Sequence, residues 1–443
     1  MDNAEHNTEV KAEPGAVRLR KPERLQVTMN VGCVDDLIPA KHQARVIWRV
    51  VETVDLSGFC EPIKAREGVC GRDTTDPKLL VSVWLYGCTC GVGSARELGR
   101  LCKDSKPYQW LCGGVSVNYH TLSDFRVQHG AALDELFTQI IAMLVVQGVI
   151  KVSRISQDGT RKRACAGASS FRRSERLLKM MEEARKHVAE LKALLDDPEK
   201  SAGLSAKQKA ARERAARERE ENVQKAIDRL PKLREKQAKL AKKVAAKDKA
   251  KKLKEPRVST TDAEATVMKM SNGGFNPAVN VQFATDTESR AIVGVDVSGE
   301  GNDHHLAEPM RKQVEERTGL KVKEHLVDGG YLVLEDIEKA AVDDVTMYVP
   351  PKPAGKKALP GSEFLPKAGE SQVLIDWRKR MGSEAGKEIY KQRASNSETV
   401  NGDLSTHRGL GRMLVRGLKK SRCVALWSAM AYNILHFGAM LIA

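Results

Sequence analysis

Three acidic residues, widely spaced along the chain, stand in surroundings that could do chemistry. Asp158 lies in ISQDGTRKRACAG, Asp328 in KEHLVDGGYLVLED and Glu398 in YKQRASNSETVNGD. Each aspartate closes a short apolar run that reads as a strand, and the glutamate lies in a stretch that reads as a helix. Three carboxylates gathered on one sheet are hard oxygen ligands. They can hold two divalent cations about 3.5–4 Å apart, a pair that drives in-line attack on a phosphodiester. Each also has a plainer reading: an aspartate before glycine forms turns, and a helical glutamate is often only solvated. Asp286, Asp296 and Asp336 compete, because each stands near the end of an expected element.

The elements that must position these acids follow in order. Residues 149–158 predict a strand ending at Asp158. PAVNVQFATD and AIVGVDVSG predict a hairpin around the turn at 286–289. A helix near 304–318, a strand at 320–328, a helix at 333–341 and a strand at 345–350 come next. A Pro/Gly/Lys-rich loop covers 350–370, and helices cover about 372–405 and 421–441. The predicted class is therefore α/β, a mixed sheet with flanking helices and with Asp158 and Asp328 at strand ends.

A long helical tract, 172–256, interrupts this pattern. Leu177, Met181, Ala184, Val188, Leu191 and Leu195 alternate steps of four and three, which is a heptad seam. Pro198 and Gly203 break it, and Val223, Ile227 and Leu230 resume it on a second helix that Pro231 is expected to kink. The result is an inserted coiled-coil hairpin. Its second arm, 205–255, carries 19 Lys and Arg against 8 Asp and Glu, so it is either a solvated coil face or a basic arm lying on phosphates.

Residues 1–25 are polar and aperiodic and predict a disordered tail. Residues 26–148 predict an N-terminal all-helical domain. Asp76-Pro77 and the capping box Ser94-Ala95-Arg96-Glu97 open two helices, and a third is expected near Thr121–Asp124. Short helices joined by Gly-rich turns suit either a DNA reader or a plain scaffold. The chain of 443 residues carries a formal charge of +16, which favours a polyanionic partner. Nine cysteines, an odd number, argue against a disulfide framework and for a reducing cytoplasm. Residues 423–443 are apolar enough to span a membrane, but Ser428, Asn433 and His436 favour a buried core helix.

The strings SQDGTRKRA, MKMSNGGFNPAVNVQFATDTESRAIVGVDV, HLVDGGY and YKQRASNSETVN resemble the DDE-type transposases of bacterial insertion sequences, most closely the group numbered eleven-eighty-two. The likeness runs from about residue 40 to the end. It implies a ribonuclease H-like catalytic domain over 149–171 and 257–443, and it maps a metal-binding catalytic triad onto Asp158, Asp328 and Glu398. It implies two Mg²⁺ ions, with Mn²⁺ able to substitute. It also implies partners: the element's terminal inverted repeats, target DNA and at least one further subunit. A cytoplasmic, nucleoid-associated protein without a membrane anchor follows. Tyr390 and Arg393 match the related Y-(2)-R-(3)-E-(6)-K signature as DNA contacts, but four residues separate Arg393 from Glu398. Ser405 stands where a basic residue belongs, and Arg408 is the nearby cation that could replace it. The implied activity is cutting of element ends and their joining to target DNA. Two alternatives remain open: a nuclease or resolvase of the same fold, and a non-catalytic DNA-binding coiled-coil protein.

Overall fold

The computed structural model describes residues 32–65, 73–245, 255–355 and 359–442. The expected tail at 1–25 lies outside the described residues. Seven helices come first: α1 (Gln43–Thr53), the single turn α2 (Ser57–Cys60), α3 (Pro77–Thr89), α4 (Ala95–Asp104), α5 (Lys106–Cys112), α6 (Tyr119–Gln128) and α7 (Gly130–Val146). Their starts are written in the sequence. Asp76 accepts a hydrogen bond from the Lys78 amide with Pro77 in the first turn, and Ser94 Oγ accepts from the Glu97 amide. The third start lies two residues before the one the sequence suggested: Asn118 caps α6 by accepting from the His120 amide. Asn is as good a cap as Ser or Thr, and here it stands ahead of them in the chain.

The strand β1 (Arg154–Arg163) then leads into β2 (Phe171–Arg172), α8 (Ser174–Asp196), the turn α9 (Pro198–Ser201) and α10 (Ala206–Ala245). β2 pairs with β3 (Val258–Ser259) and closes the neck of this helical hairpin. At the neck Leu177, Ala226, Leu230 and Val258 form a small core of their own. The helix α10 continues through Pro231, where the sequence suggested a kink or an interruption, and no interruption occurs. Packing of Leu230 before the proline and Leu233 after it holds the chain helical across the lost amide hydrogen bond.

The main sheet adds β4 (Thr266–Lys269), β5 (Phe275–Asp286) and β6 (Ile292–Ser298). Then come α11 (Ala307–Thr318), β7 (Glu324–Val327), α12 (Leu334–Val342) and β8 (Thr346–Tyr348). The order is β4-β5-β1-β7-β8, with β6 also on β5. β5 runs antiparallel to β1, β4 and β6, while β1, β7 and β8 are parallel. This is a mixed α/β sheet of the ribonuclease H-like kind. Every residue of β5 from Pro277 to Asp286 is buried, as expected of a strand covered by helices on both faces. The helices α13 (Gln372–Gly382), α14 (Glu384–Arg393), a π-helical turn (Ala394–Glu398), α15 (Thr399–Thr406) and α16 (Leu418–Leu441) complete the chain.

One difference bears on the site. Asp158 does not end its strand, as the sequence suggested, but sits in the middle of β1 opposite Phe283. The polar run Gly159–Arg163 stays extended because the long β5 supplies it with backbone partners down to Ala278.

The helical region and the sheet share one apolar core. Helix α16 is the only one among the described residues long and apolar enough by itself to cross a membrane. Instead it packs into this core against α3, α7 and β6. Its Asn433 is fully buried. The side-chain amide donates to the Ile292 carbonyl (2.8 Å), and its oxygen accepts from the Ile292 amide (2.9 Å). Asn433 thus satisfies both backbone polar groups of Ile292 at the start of β6. The helical region is further locked on at Gly91 and Gly409. Both have positive φ, and a Cβ on Gly91 would lie 2.9 Å from the His407 carbonyl oxygen.

His325 on β7 is buried, and burial, reinforced by Arg311, pushes its imidazole down to about 3. The native state therefore holds it neutral while the unfolded chain protonates near 6.5. Stability present above that pH is lost as pH falls toward 3. Replacing His325 by Leu should flatten the acid side of the urea-midpoint profile by about 2 kcal/mol at pH 5. An unchanged profile would contradict this.

Candidate active site

The parallel pairing of β1 with β7 sets Gln157 level with Val327. The next residue on each strand is Asp158 and Asp328, so the two aspartates stand on neighbouring strands. Asp328 Oδ1 accepts from the Gly330 amide at 2.8 Å and so caps the turn that follows β7. Asp158 Oδ1 accepts from the Gly159 amide (2.9 Å), and Oδ2 accepts from Asn401 Nδ2 (3.1 Å). Burial pushes the Asp158 carboxyl up to about 6; Arg393 opposes this and the negative charge of Asp328 adds to it.

The residues of β1 at even positions face the last helices. Ser156 Oγ meets Ser397 Oγ (2.5 Å), Asp158 meets Asn401, and Lys162 donates to Ser405. Ser397, Asn401 and Ser405 are spaced by four and form one helical stripe over the strand. Glu398 lies one residue off this stripe at the end of the π-turn, with its side chain 65% exposed. The π-turn accounts for the spacing anomaly in the sequence. It takes one more residue than an α-turn, so the extra position between Arg393 and Glu398 is absorbed without breaking the helix.

Arg393 sits between the acids, with Nη1 3.8 Å from Asp158 Oδ2 and Nη2 3.5 Å from Glu398 Oε1. Its guanidinium carbon is 5.9 Å from the centre of the Tyr390 ring. Burial holds the Tyr390 phenol above its ordinary value. Arg408 lies elsewhere: Nε and Nη2 donate to the Asp403 carboxylate (2.9 and 3.1 Å) and Nη1 donates to the Thr89 carbonyl. The competing acids are also engaged elsewhere. Asp286 accepts from the Val152 and Ser289 amides, Asp336 pairs with His305, and Asp296 lies 3.8 Å from Arg422.

Several site residues were not read from the sequence. Asp303, nearly buried, accepts from Asn280 Nδ2 (2.6 Å) and Gln282 Nε2 (2.7 Å). Gln282 Oε1 accepts from Gln157 Nε2 (3.0 Å) and from the Tyr331 hydroxyl. Burial raises the Tyr331 phenol well above its usual range, and Asp303, Asp158 and Asp328 all add to the effect. The signal available was Asn280 and Gln282, polar residues alternating on an otherwise apolar strand. This network also explains Gly159. A Cβ there would lie 2.4 Å from Gln282 Nε2 and 2.5 Å from Asp303 Oδ1. Gly159→Ala should therefore lower stability by about 1–3 kcal/mol in urea melts. A wild-type midpoint would show that the network yields freely.

Two aspartates on adjacent strands, one of them desolvated and repelled by the other, suit a hard divalent cation. Among the described residues no three His, Cys, Asp or Glu side chains are already gathered as a ligand set. Glu398 reaches the pair only through the Arg393 guanidinium.

Residues 212–434 match the family described as Transposase DDE domain, and residues 32–128 match Transposase domain (DUF772). The first match covers just over half of the 443 residues, and the chain belongs to the DDE transposase family. It is a transposase of the DDE insertion-sequence type. Proteins of this family act on DNA and use divalent metal ions. No curated protein and no solved structure matches the chain. The longer match contains Asp328 and Glu398 but begins inside α10, so β1 and Asp158 fall outside it.

Proposed function

We propose that this transposase cuts the ends of its own element and joins them to target DNA, with Asp158, Asp328 and Glu398 as its catalytic acids. The observation that carries this reading is the β1–β7 register, which sets the two aspartates abreast beneath the helix bearing Glu398. The three carboxylates would hold Mg²⁺, or Mn²⁺ in its place. When bound, the metal supplies activation of the attacking oxygen and neutralisation of charge on the leaving one.

The protein's own residues supply position. Asn401 orients Asp158 through Oδ2, the Gly330 amide fixes Asp328, and the buried Gln157–Gln282–Asp303 network keeps the floor beneath them rigid. Glu398 is exposed and carried on a π-turn, so its carboxylate is free to swing inward once Arg393 lets go. Tyr390 and Arg393 then face the phosphates of the bound strand. Arg408 would have to release Asp403 and Thr89 to join them. Pairing two element ends requires a homodimer or a larger assembly, and the basic hairpin of α8 and α10 supplies a surface for a second subunit or for DNA.

The test is incubation of the full chain with element-end duplex in Mg²⁺ or in Ca²⁺. Nicks at the element boundary, in Mg²⁺ alone, support the reading. Donor ends covalently joined to target DNA separate a transposase from a nuclease. Absence of any Mg²⁺-dependent product overturns it.

A further inference from the structure

We propose that Lys162 is a phosphate-binding residue of the cutting face, delivered from β1 to the rim formed by Ser405. The proposal rests on the transposase reading above. It does not concern the three acids.

The starting observation is a buried cation without a counter-charge. Lys162 is 4% exposed. Its Nζ donates to Ser405 Oγ, and Ser405 in turn donates to the Asn401 carbonyl. Among the described residues no carboxylate lies within ion-pair distance of the ammonium. Buried charges in folded proteins are ordinarily paired, because an unpaired one loses hydration with nothing in return. Burial accordingly lowers this amine to about 8, so at neutral pH it still carries its proton.

Its position says what would complete it. Asp158, Thr160 and Lys162 lie on one face of β1. Lys162, Ser405, Asn401 and Asp158 form a continuous chain of contacts along the helical stripe. The ammonium thus lies beneath a half-buried hydroxyl on the surface that meets the scissile strand. An anion seated there would accept from Lys162 Nζ, and from Ser405 Oγ once that hydroxyl turns its one proton away from the Asn401 carbonyl. A phosphodiester oxygen fits, and lysine serves well as a point charge for it. Arg408, a further cation at this end of α15, already has the Asp403 carboxylate.

The experiment measures binding of element-end duplex by the full chain in Ca²⁺ across a salt series. Lys162→Met should weaken binding several-fold and reduce the slope of log K against log salt by about 0.9, the share of one phosphate. Lys162→Arg should keep the wild-type slope. Ser405→Asp gives the ammonium a carboxylate partner, so that variant should melt higher than wild type yet bind DNA more weakly. If Lys162 is only structural, Ser405→Asp melts higher with affinity unchanged and Lys162→Met keeps the full slope, and either result overturns the proposal. Cutting in Mg²⁺ is scored separately. A wild-type protein that never cuts refutes the transposase mechanism, whereas one that cuts alongside an unchanged Lys162→Met slope refutes only this site.

Discussion

Asp158→Asn protein is expected to bind element-end DNA as wild type does while its cutting rate falls at least about a thousandfold, equivalent to about 4 kcal/mol of lost transition-state stabilisation. Asn keeps the shape and can still meet Asn401, but it removes the charge that would hold the metal. The same variant should melt about 1–3 °C higher in the absence of divalent ions at pH 7–8. The sign follows from the carboxyl's displacement from 3.8 to about 6. The native state disfavours the ionised form, so the wild type is most stable below pH 3.8 and loses that increment as pH rises through 6. The advantage of Asn should therefore shrink as pH is lowered toward 4. Wild-type cutting by this variant would remove Asp158 from the chemistry. A lower melting temperature would mean that the Arg393 contact outweighs desolvation.

Asn433→Leu is expected to cost about 2–4 kcal/mol. Leucine fills a similar volume, so the loss does not come from a cavity. It comes from the Ile292 amide and carbonyl, which lose both partners inside a helix–sheet interface. The urea midpoint should fall with an unchanged denaturant slope. A wild-type midpoint would show that water reaches this edge of β6.

The sequence revealed the order of elements well because each is patterned locally. The β5–β6 hairpin, α11, β7, α12 and β8 all fall within a few residues of where apolar periodicity places them. The apolar segment at the end proved to be a core helix for the reason its Asn433 suggested. What local pattern could not show was where partners lie. β1 continues past Asp158 only because β5, more than a hundred residues later, pairs with Gly159–Arg163. Asp303 carries no periodic signature and becomes visible only once Asn280 and Gln282 turn toward it. Arg408 reads in the sequence as a replacement cation, but folding brings Asp403 and Thr89 to it, and the burial of Lys162 within its basic run has no local signature.

Helix α16 touches the first helices of the chain and the outer strand of the sheet at once. A helix shared in this way couples the two regions, so separating either from α16 exposes apolar surface of both, and they are expected to unfold in one cooperative step.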